Sequence, residues 1–216
     1  VNQALPLLIV AALEAGAAAH LPLPLALLFG WAAAATGFVG LAYVLGRPSW
    51  LGKRRPLLRA ALAPYLAFGR FVAAGVQRLG HVERNEVLPG LWVGGWPRKG
   101  APGLAQLDLT AELPRRGAAR EYRCVEMLDG TAMSGPAFAE AVDQALAWRR
   151  AGLPVLIHCA YGHGRSVSVA CGLILAEGLA PDLDAAFALI QAHRKGAALR
   201  PYQRAVVEAW WAGRDQ

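Results

Sequence analysis

Hydrophobic and polar positions divide this chain into an apolar head, a basic connector and a body of short alternating elements. Leu21 to Gly46, LPLPLALLFGWAAAATGFVGLAYVLG, carries no charge. As a helix it would measure roughly 39 Å, more than the ~30 Å hydrocarbon core of a bilayer. Gly30, Gly37 and Gly40 are better tolerated in a membrane helix than in a soluble one. Ala4 to Leu21 is a shorter, weaker apolar stretch. With a turn at His20-Leu21-Pro22-Leu23-Pro24, the pattern predicts a transmembrane helical hairpin within residues 1–46. The alternative is one span behind an interfacial or cleaved segment. It is disfavoured because no basic stretch leads into the first segment and a stronger one follows. Glu14 is either a polar contact between the spans or an interfacial residue.

Residues 47–80 form the connector. Arg47, Lys53, Arg54, Arg55 and Arg59 follow the long span at once, with Trp50 among them. By the positive-inside rule they mark the cytoplasmic side, and the body of the chain that follows would lie on that side too. Leu57 to Leu79 reads as an amphipathic helix broken near Pro64. It fits either a helix packed on the folded domain or one lying on the membrane.

Residues 81–216 form the body. NEVLPGLWVGGWP carries a hairpin signal around Pro89-Gly90. Leu104–Thr110, Glu121–Met127 and Pro154–Cys159 read as strands. Gly135–Gly152, Arg165–Gly178, Pro181–Arg194 and Pro201–Ala212 read as helices, the first with Phe138, Val142 and Leu146 on one face. Alternating strands and helices predict an α/β domain with a mainly parallel central sheet flanked by helices.

Charge sharpens this division. The chain has 22 Lys and Arg against 15 Asp and Glu, and every basic residue lies after Gly46. Such a body favours anionic lipid, nucleic acid or phosphorylated substrates. The three Cys form no CxxC pair and the five His no metal-binding spacing, so neither a metal nor another cofactor is expected.

The chemistry concentrates in VLIHCAYGHGRSVSVACG, Val155 to Gly172. A buried strand ends at His158 and a helix begins near Arg165. The loop between them can turn its amides inward, as a nest for an oxyanion at a helix N-terminus. Ala160, Tyr161, Gly162, His163 and Gly164 would supply those amides, with Gly162 and Gly164 allowing the close approach. The same field favours the thiolate of Cys159 as nucleophile. Arg165 can grip two phosphate oxygens with its planar fork. Ser166 can donate to the sulfur as it leaves, and His158 can orient the loop through backbone contacts.

His158-Cys159, five residues, then Arg165-Ser166 resembles the signature of cysteine-based protein tyrosine phosphatases. The short domain, from about Glu86 to Trp211, is similar to a dual-specificity phosphatase, and LPGLWVGGWP is similar to that family's opening strand segment. The resemblance implies a phosphocysteine intermediate and a general-acid Asp on the loop after the preceding strand. Asp129, in VEMLDGT, stands at that place. The implied substrates are a phosphorylated protein or a phospholipid at the membrane, with no nucleic-acid partner. A phosphate-binding adaptor without activity, a rhodanese and an arsenate reductase are rival readings, disfavoured by Cys159, Arg165 and Asp129 together and by Ser166.

Other residues carry weaker signals. Glu126 is a rival carboxylate that strand alternation keeps from the loop tip. Asp108 and Glu112 fit a cap or solvent role better than the pocket. His163 either touches substrate or is an idle loop residue. Cys124 and Cys171 read as buried thiols rather than a redox partner for Cys159. Gln203, in a closing segment that resembles the family's, reads as a surface helix residue more readily than as a holder of water.

Overall fold

The computed structural model describes residues 3–51, 53, 55–78 and 83–214. Arg54, Leu79 and the expected domain boundary at residues 80–81 lie outside them. The chain forms two compact units. The first holds residues 1–75 and two short segments from later in the chain, Ala111–Pro114 and Leu128–Thr131; the second holds the remainder.

In the first unit, α1 (Ala4–Ala18) and α2 (Leu23–Val44) are joined by a turn over residues 19–22. Pro22 ends the turn in an extended conformation and Pro24 sits in the first turn of α2, where its missing N–H costs nothing. Gly37 of α2 faces Ala11 of α1, and Gly40 faces Leu7 and Leu8, so the two helices run antiparallel and close together. At Gly40 a Cβ would lie only 2.9 Å from the Leu8 side chain. Of the described helices, α2 alone is long and apolar enough to cross a membrane.

A short 3-10 turn, Pro48–Leu51, leads to α3 (Pro56–Ala61) and α4 (Ala63–Arg78). The break expected near Pro64 falls at Leu62, and Pro64 takes an early position in α4, which again suits proline. Trp31 donates its indole N–H to the Ala61 carbonyl at 2.7 Å, and Phe38 stacks on Trp50. Ala35, Val39, Ala42, Tyr43, Leu51, Leu62 and Leu66 form the core of this unit, with Ala111 and Leu128 from the two later segments.

The second unit is built on a mixed sheet in the order β1-β2-β5-β3-β4. Its strands are β1 (Arg84–Leu88), β2 (Leu91–Gly94), β3 (Gly100–Thr110), β4 (Ala118–Met127) and β5 (Val155–His158). β1 and β2 pair antiparallel through the turn at Pro89-Gly90, where Gly90 takes a positive φ. β5 lies parallel between β2 and β3, and β4 runs parallel to β3. Buried on both faces, β5 consists of Val, Leu, Ile and His, as a central parallel strand should.

α5 (Gly135–Arg150), α6 (Arg165–Ala176), α7 (Leu183–His193) and α8 (Pro201–Ala212) flank the sheet. α6 is buried along nearly its whole length, because α5, α7 and α8 all pack against it. Gly172 of α6 permits this approach, since a Cβ there would meet Phe138 and Val142 of α5 at 2.8–2.9 Å. Ser134 and Asp182 cap α5 and α7 by accepting from the amides of Ala137 and Ala185, each contributing about 1 kcal/mol.

Candidate active site

The register of the sheet delivers the loop. His158 ends β5 with Gly94 of β2 on one side and Asp108 of β3 on the other. The chain then turns through Cys159–Gly164 and enters α6 at Arg165. Two backbone bonds anchor the turn to the end of β2: Cys159 N–H to the Gly94 carbonyl at 3.3 Å, and Trp96 N–H to the Ala160 carbonyl at 3.0 Å.

Cys159 is buried, and its sulfur accepts the Gly162 amide at 3.2 Å. The Ser166 hydroxyl lies 3.5 Å from the same sulfur. An amide donor, a hydroxyl and the N-terminus of α6 thus converge on the sulfur. Gly162 adopts φ +74°, and a Cβ there would lie 2.3 Å from the Gly94 carbonyl carbon. Only glycine fits this corner, and the corner is what aims its amide at the sulfur.

Arg165 is buried at the first position of α6. Its Nη1 donates to the carbonyls of Met127 at 2.7 Å and Leu109 at 3.2 Å, the last turns of β4 and β3. These bonds fix the plane of the guanidinium, so its fork is oriented before any ligand arrives.

Asp129 lies in the half-buried turn that follows β4, two residues beyond the Met127 carbonyl held by Arg165. Gly130 takes φ +67° there, and Thr131 donates back to the Leu128 carbonyl at 3.4 Å. This turn belongs to the first unit, while Cys159, Arg165 and Ser166 belong to the second. Among the loop residues, His163 has its carbonyl bound by the Ala198 amide and its ring set against Gly196.

Two expectations need correction. Asp108 neither caps a helix nor faces solvent. It is fully buried and accepts from the Thr110 amide and hydroxyl through Oδ1 and from the Tyr122 hydroxyl through Oδ2. Burial and the neighbouring Asp108 charge push the Tyr122 phenol far up, so it stays a donor. Gln203 is likewise buried, not a surface residue. Its amide lies against Gly164, and its Oε1 accepts the Arg200 amide at 3.0 Å.

The structure also adds residues that the sequence pattern does not mark. Arg194, just past α7, donates to the Gly162 carbonyl at 2.6 Å, the Tyr161 carbonyl at 3.1 Å and Asn85 Oδ1 at 2.7 Å. Its burial pulls its pKa down, while the nearby Cys159 charge works in the opposite direction. Gln106 lies 2.9 Å from His158 Nε2, and His158 Nδ1 lies 3.4 Å from the Cys159 carbonyl, so the buried imidazole sits directly behind the loop. The one available signal was the run of basic residues in HRKG, which is indistinguishable in sequence from a solvated helix end.

Both other cysteines are thiols, but only Cys171 is buried as expected; Cys124 is half-buried. Cys124 donates to the Thr110 carbonyl at 3.6 Å, and burial pushes Cys171 up to about 12.

No family model matches this sequence, and no curated protein matches it significantly. Solved structures do match. Human DUSP28 aligns with a TM-score of 0.55 at 17% identity, over 63% of this chain and 98% of that one. A mouse putative dual specificity phosphatase complexed with zinc tungstate gives 0.54 at 19%, over 61% and 87%. Tk-PTP in its active form gives 0.52 at 23%, over 60% and 97%. With a mixed sheet flanked by helices and the Cys159–Gly164 loop between β5 and α6, this chain has the fold of these solved dual-specificity phosphatase structures.

Proposed function

We propose that this protein is a membrane-anchored, cysteine-dependent phosphatase that hydrolyses phosphomonoesters through a phosphocysteine intermediate. The observation that carries this reading is the convergence of the Gly162 amide and the Ser166 hydroxyl on the buried Cys159 sulfur, at the N-terminus of a helix that begins with Arg165. The loop amides from Ala160 to Gly164 and the Arg165 fork would hold the phosphoryl oxygens. The Cys159 thiolate attacks phosphorus as the ester P–O bond breaks, and Asp129 gives its proton to the leaving oxygen. Asp129 then takes a proton from water as that water attacks the phosphocysteine. Ser166 donates to the departing thiolate, and inorganic phosphate leaves. Asp129 is assigned on chain position, as the carboxylate in the turn that follows β4.

The anchoring reading rests on where the apolar surface lies. Among the described residues, every exposed large hydrophobic side chain except Leu179 falls between Leu5 and Phe71. No acidic residue occurs between Glu14 and Glu83, while seven Lys and Arg fall between Arg47 and Arg78. Such a surface suits a bilayer with anionic headgroups, and the basic flank of α2 supports a cytoplasmic side for the catalytic unit. The thiol nucleophile also needs a reducing compartment.

For substrate, a dual-specificity protein phosphatase is the leading reading. No Lys or Arg lies between Cys159 and Arg165, which suits one phosphate group better than several. The apolar N-terminal unit favours a second reading, a phospholipid monoester presented at the bilayer surface. The full-length chain in detergent should be assayed side by side on phosphotyrosine and phosphoserine peptides, phosphatidylglycerol phosphate, phosphatidic acid and phosphoinositides. Turnover of a phosphopeptide at least as fast as of the lipids supports the first reading. A marked preference for a lipid monoester replaces it with the second, and no turnover on any of them refutes both.

A further inference from the structure

After α2 the chain doubles back along it. Trp50, in the 3-10 turn, stacks on Phe38. Further on, the Ala61 carbonyl accepts the Trp31 indole N–H at 2.7 Å. Phe38 lies six positions before Val44, the last residue of α2, and Trp31 lies thirteen before it. At 1.5 Å per residue, the corner between α3 and α4 therefore sits about 20 Å along α2 from its basic end, well inside a ~30 Å hydrocarbon core. With 16 residues, α4 measures about 24 Å, enough to return to the level of Val44.

The corner satisfies its own backbone. Pro64 brings no N–H to it. Across the break the Leu62 amide donates to the Leu58 carbonyl and the Leu66 amide to the Leu62 carbonyl, each at 3.0 Å, and the Trp31 indole takes the Ala61 carbonyl. A bend in hydrocarbon requires this, because no water is there to pair a freed group. The charged atoms at this level turn inward: both terminal nitrogens of Arg59 and Oε2 of Glu14 are buried within the protein. What turns outward is apolar. Leu62 and Leu66 enter the core of the unit, while Leu57, Phe68 and Phe71 are exposed. Helical spacing puts Phe68 and Phe71 on the face of α4 opposite the buried Leu66 and Ala73. Arg70 is exposed halfway along α4 and Arg78 at its end, where long side chains reach toward headgroups.

We propose that α3 and α4 form a re-entrant hairpin, with its corner at Ala61–Ala63 near the middle of the bilayer and with Leu57, Phe68 and Phe71 against lipid acyl chains. The proposal rests on the membrane-anchoring reading above. It decides between the two roles that the sequence leaves open for this segment and takes neither as it stands. A helix lying flat at the headgroups would sit level with Val44, not with Trp31. A re-entrant hairpin also leaves the bilayer on the side it entered, so the chain beyond Arg78 emerges on the side of Arg47.

Depth measurements test it. The full-length chain is reconstituted in vesicles of equal parts phosphatidylcholine and phosphatidylglycerol, doped with lipids spin-labelled at a shallow or a deep acyl carbon. A dansyl amino acid is placed singly at Ala61, Phe68, Phe71 or Arg78, and on α2 at Leu28 or Leu41, all exposed positions. Quenching should place Ala61 and Phe68 within about 5 Å of the bilayer midplane, Phe71 shallower and Arg78 at the headgroups, a change of about 10–15 Å along α4. One shallow depth shared by all four probes overturns the proposal in favour of a flat interfacial helix. Quenching at Leu28 and Leu41 but at none of the four also overturns it, and leaves anchoring by α1 and α2 intact. No quenching at Leu28 and Leu41 refutes the anchoring reading itself, and the hairpin with it. If the probe at Ala61 prevents folding, one at Leu57, about 6 Å away along α3, reads the corner by the same criterion.

Discussion

Arg194 and Gly162, 32 positions apart, meet through a 2.6 Å hydrogen bond from Nε to the carbonyl oxygen. A second bond, to the Tyr161 carbonyl, and a third, to Asn85, leave the guanidinium no freedom. With these two carbonyls held from outside, the Gly162 amide is left facing the Cys159 sulfur. Arg194→Gln should therefore lower kcat/KM by about 10- to 100-fold, the usual cost of a misplaced catalytic geometry. Vanadate affinity should fall in parallel. Arg194→Lys should recover only part of the loss, because an ammonium cannot reproduce the fork that spans both carbonyls and Asn85. Full activity in Arg194→Gln would mean that the loop holds its shape unaided.

Glycines with positive φ provide an internal comparison. At Gly162 a Cβ would collide with backbone, whereas at Gly178, φ +69°, nothing lies within 4 Å. Gly178→Ala should cost about 1–2 kcal/mol from the left-handed backbone alone, with kinetics unchanged. Gly162→Ala should cost more and abolish turnover, since the loop must move to admit the methyl group. Thermal melts and steady-state rates check both, and similar behaviour of the two variants would contradict the steric argument.

The chemistry predicts a distinct set of phenotypes. Cys159→Ser should abolish turnover yet still bind vanadate. Asp129→Asn should slow phenyl phosphate hydrolysis by about 10²–10⁴, the range for a lost general acid. EDTA should leave the rate unchanged. Turnover by Cys159→Ser, or its loss in EDTA, would exclude the phosphocysteine route.

Burial raises the Cys171 thiol to about 12, from an ordinary value near 9. The folded state thus holds this proton more tightly than the unfolded chain does. Its contribution to stability is complete below about pH 9 and is lost as pH climbs toward 12. Tyr122, raised by burial and by Asp108, acts in the same direction above its ordinary value. Melting temperature should therefore fall steeply on the alkaline side, and less steeply in Tyr122→Phe. Iodoacetamide at pH 8 should modify Cys159 in the native protein and spare Cys171 until denaturant is added.

The apolar head makes a prediction about location. The full-length chain should stay with the membrane pellet after alkaline carbonate washing. A photo-reactive benzoylphenylalanine in place of Phe71, which is 77% exposed on α4, should form adducts with lipid. The same group in place of Leu179 should not. A chain released by carbonate, or labelling confined to protein, would remove the membrane from the account.

The sequence by itself determined the local order of this protein. Periodicity and its Gly and Pro punctuation located the elements on either side of the loop, β5 and α6, because their signals lie within a few residues of each other. The spacing from Cys159 to Arg165 is also a local matter, since strand, nest and helix N-terminus must be contiguous. What tertiary structure decided is everything that joins distant segments. Asp108, a polar residue at a strand end, turns out buried because the register of β3 sets it beside His158, with Tyr122 of β4 at hand to donate. Arg194 reads as a solvated helix end until α7 brings it under the loop. Leu128 is one apolar residue among many until Leu51, Leu62 and Leu66 close around it. Hydrophobic burial is not directional, so a pattern of apolar residues says that a side chain will be buried, not in which core.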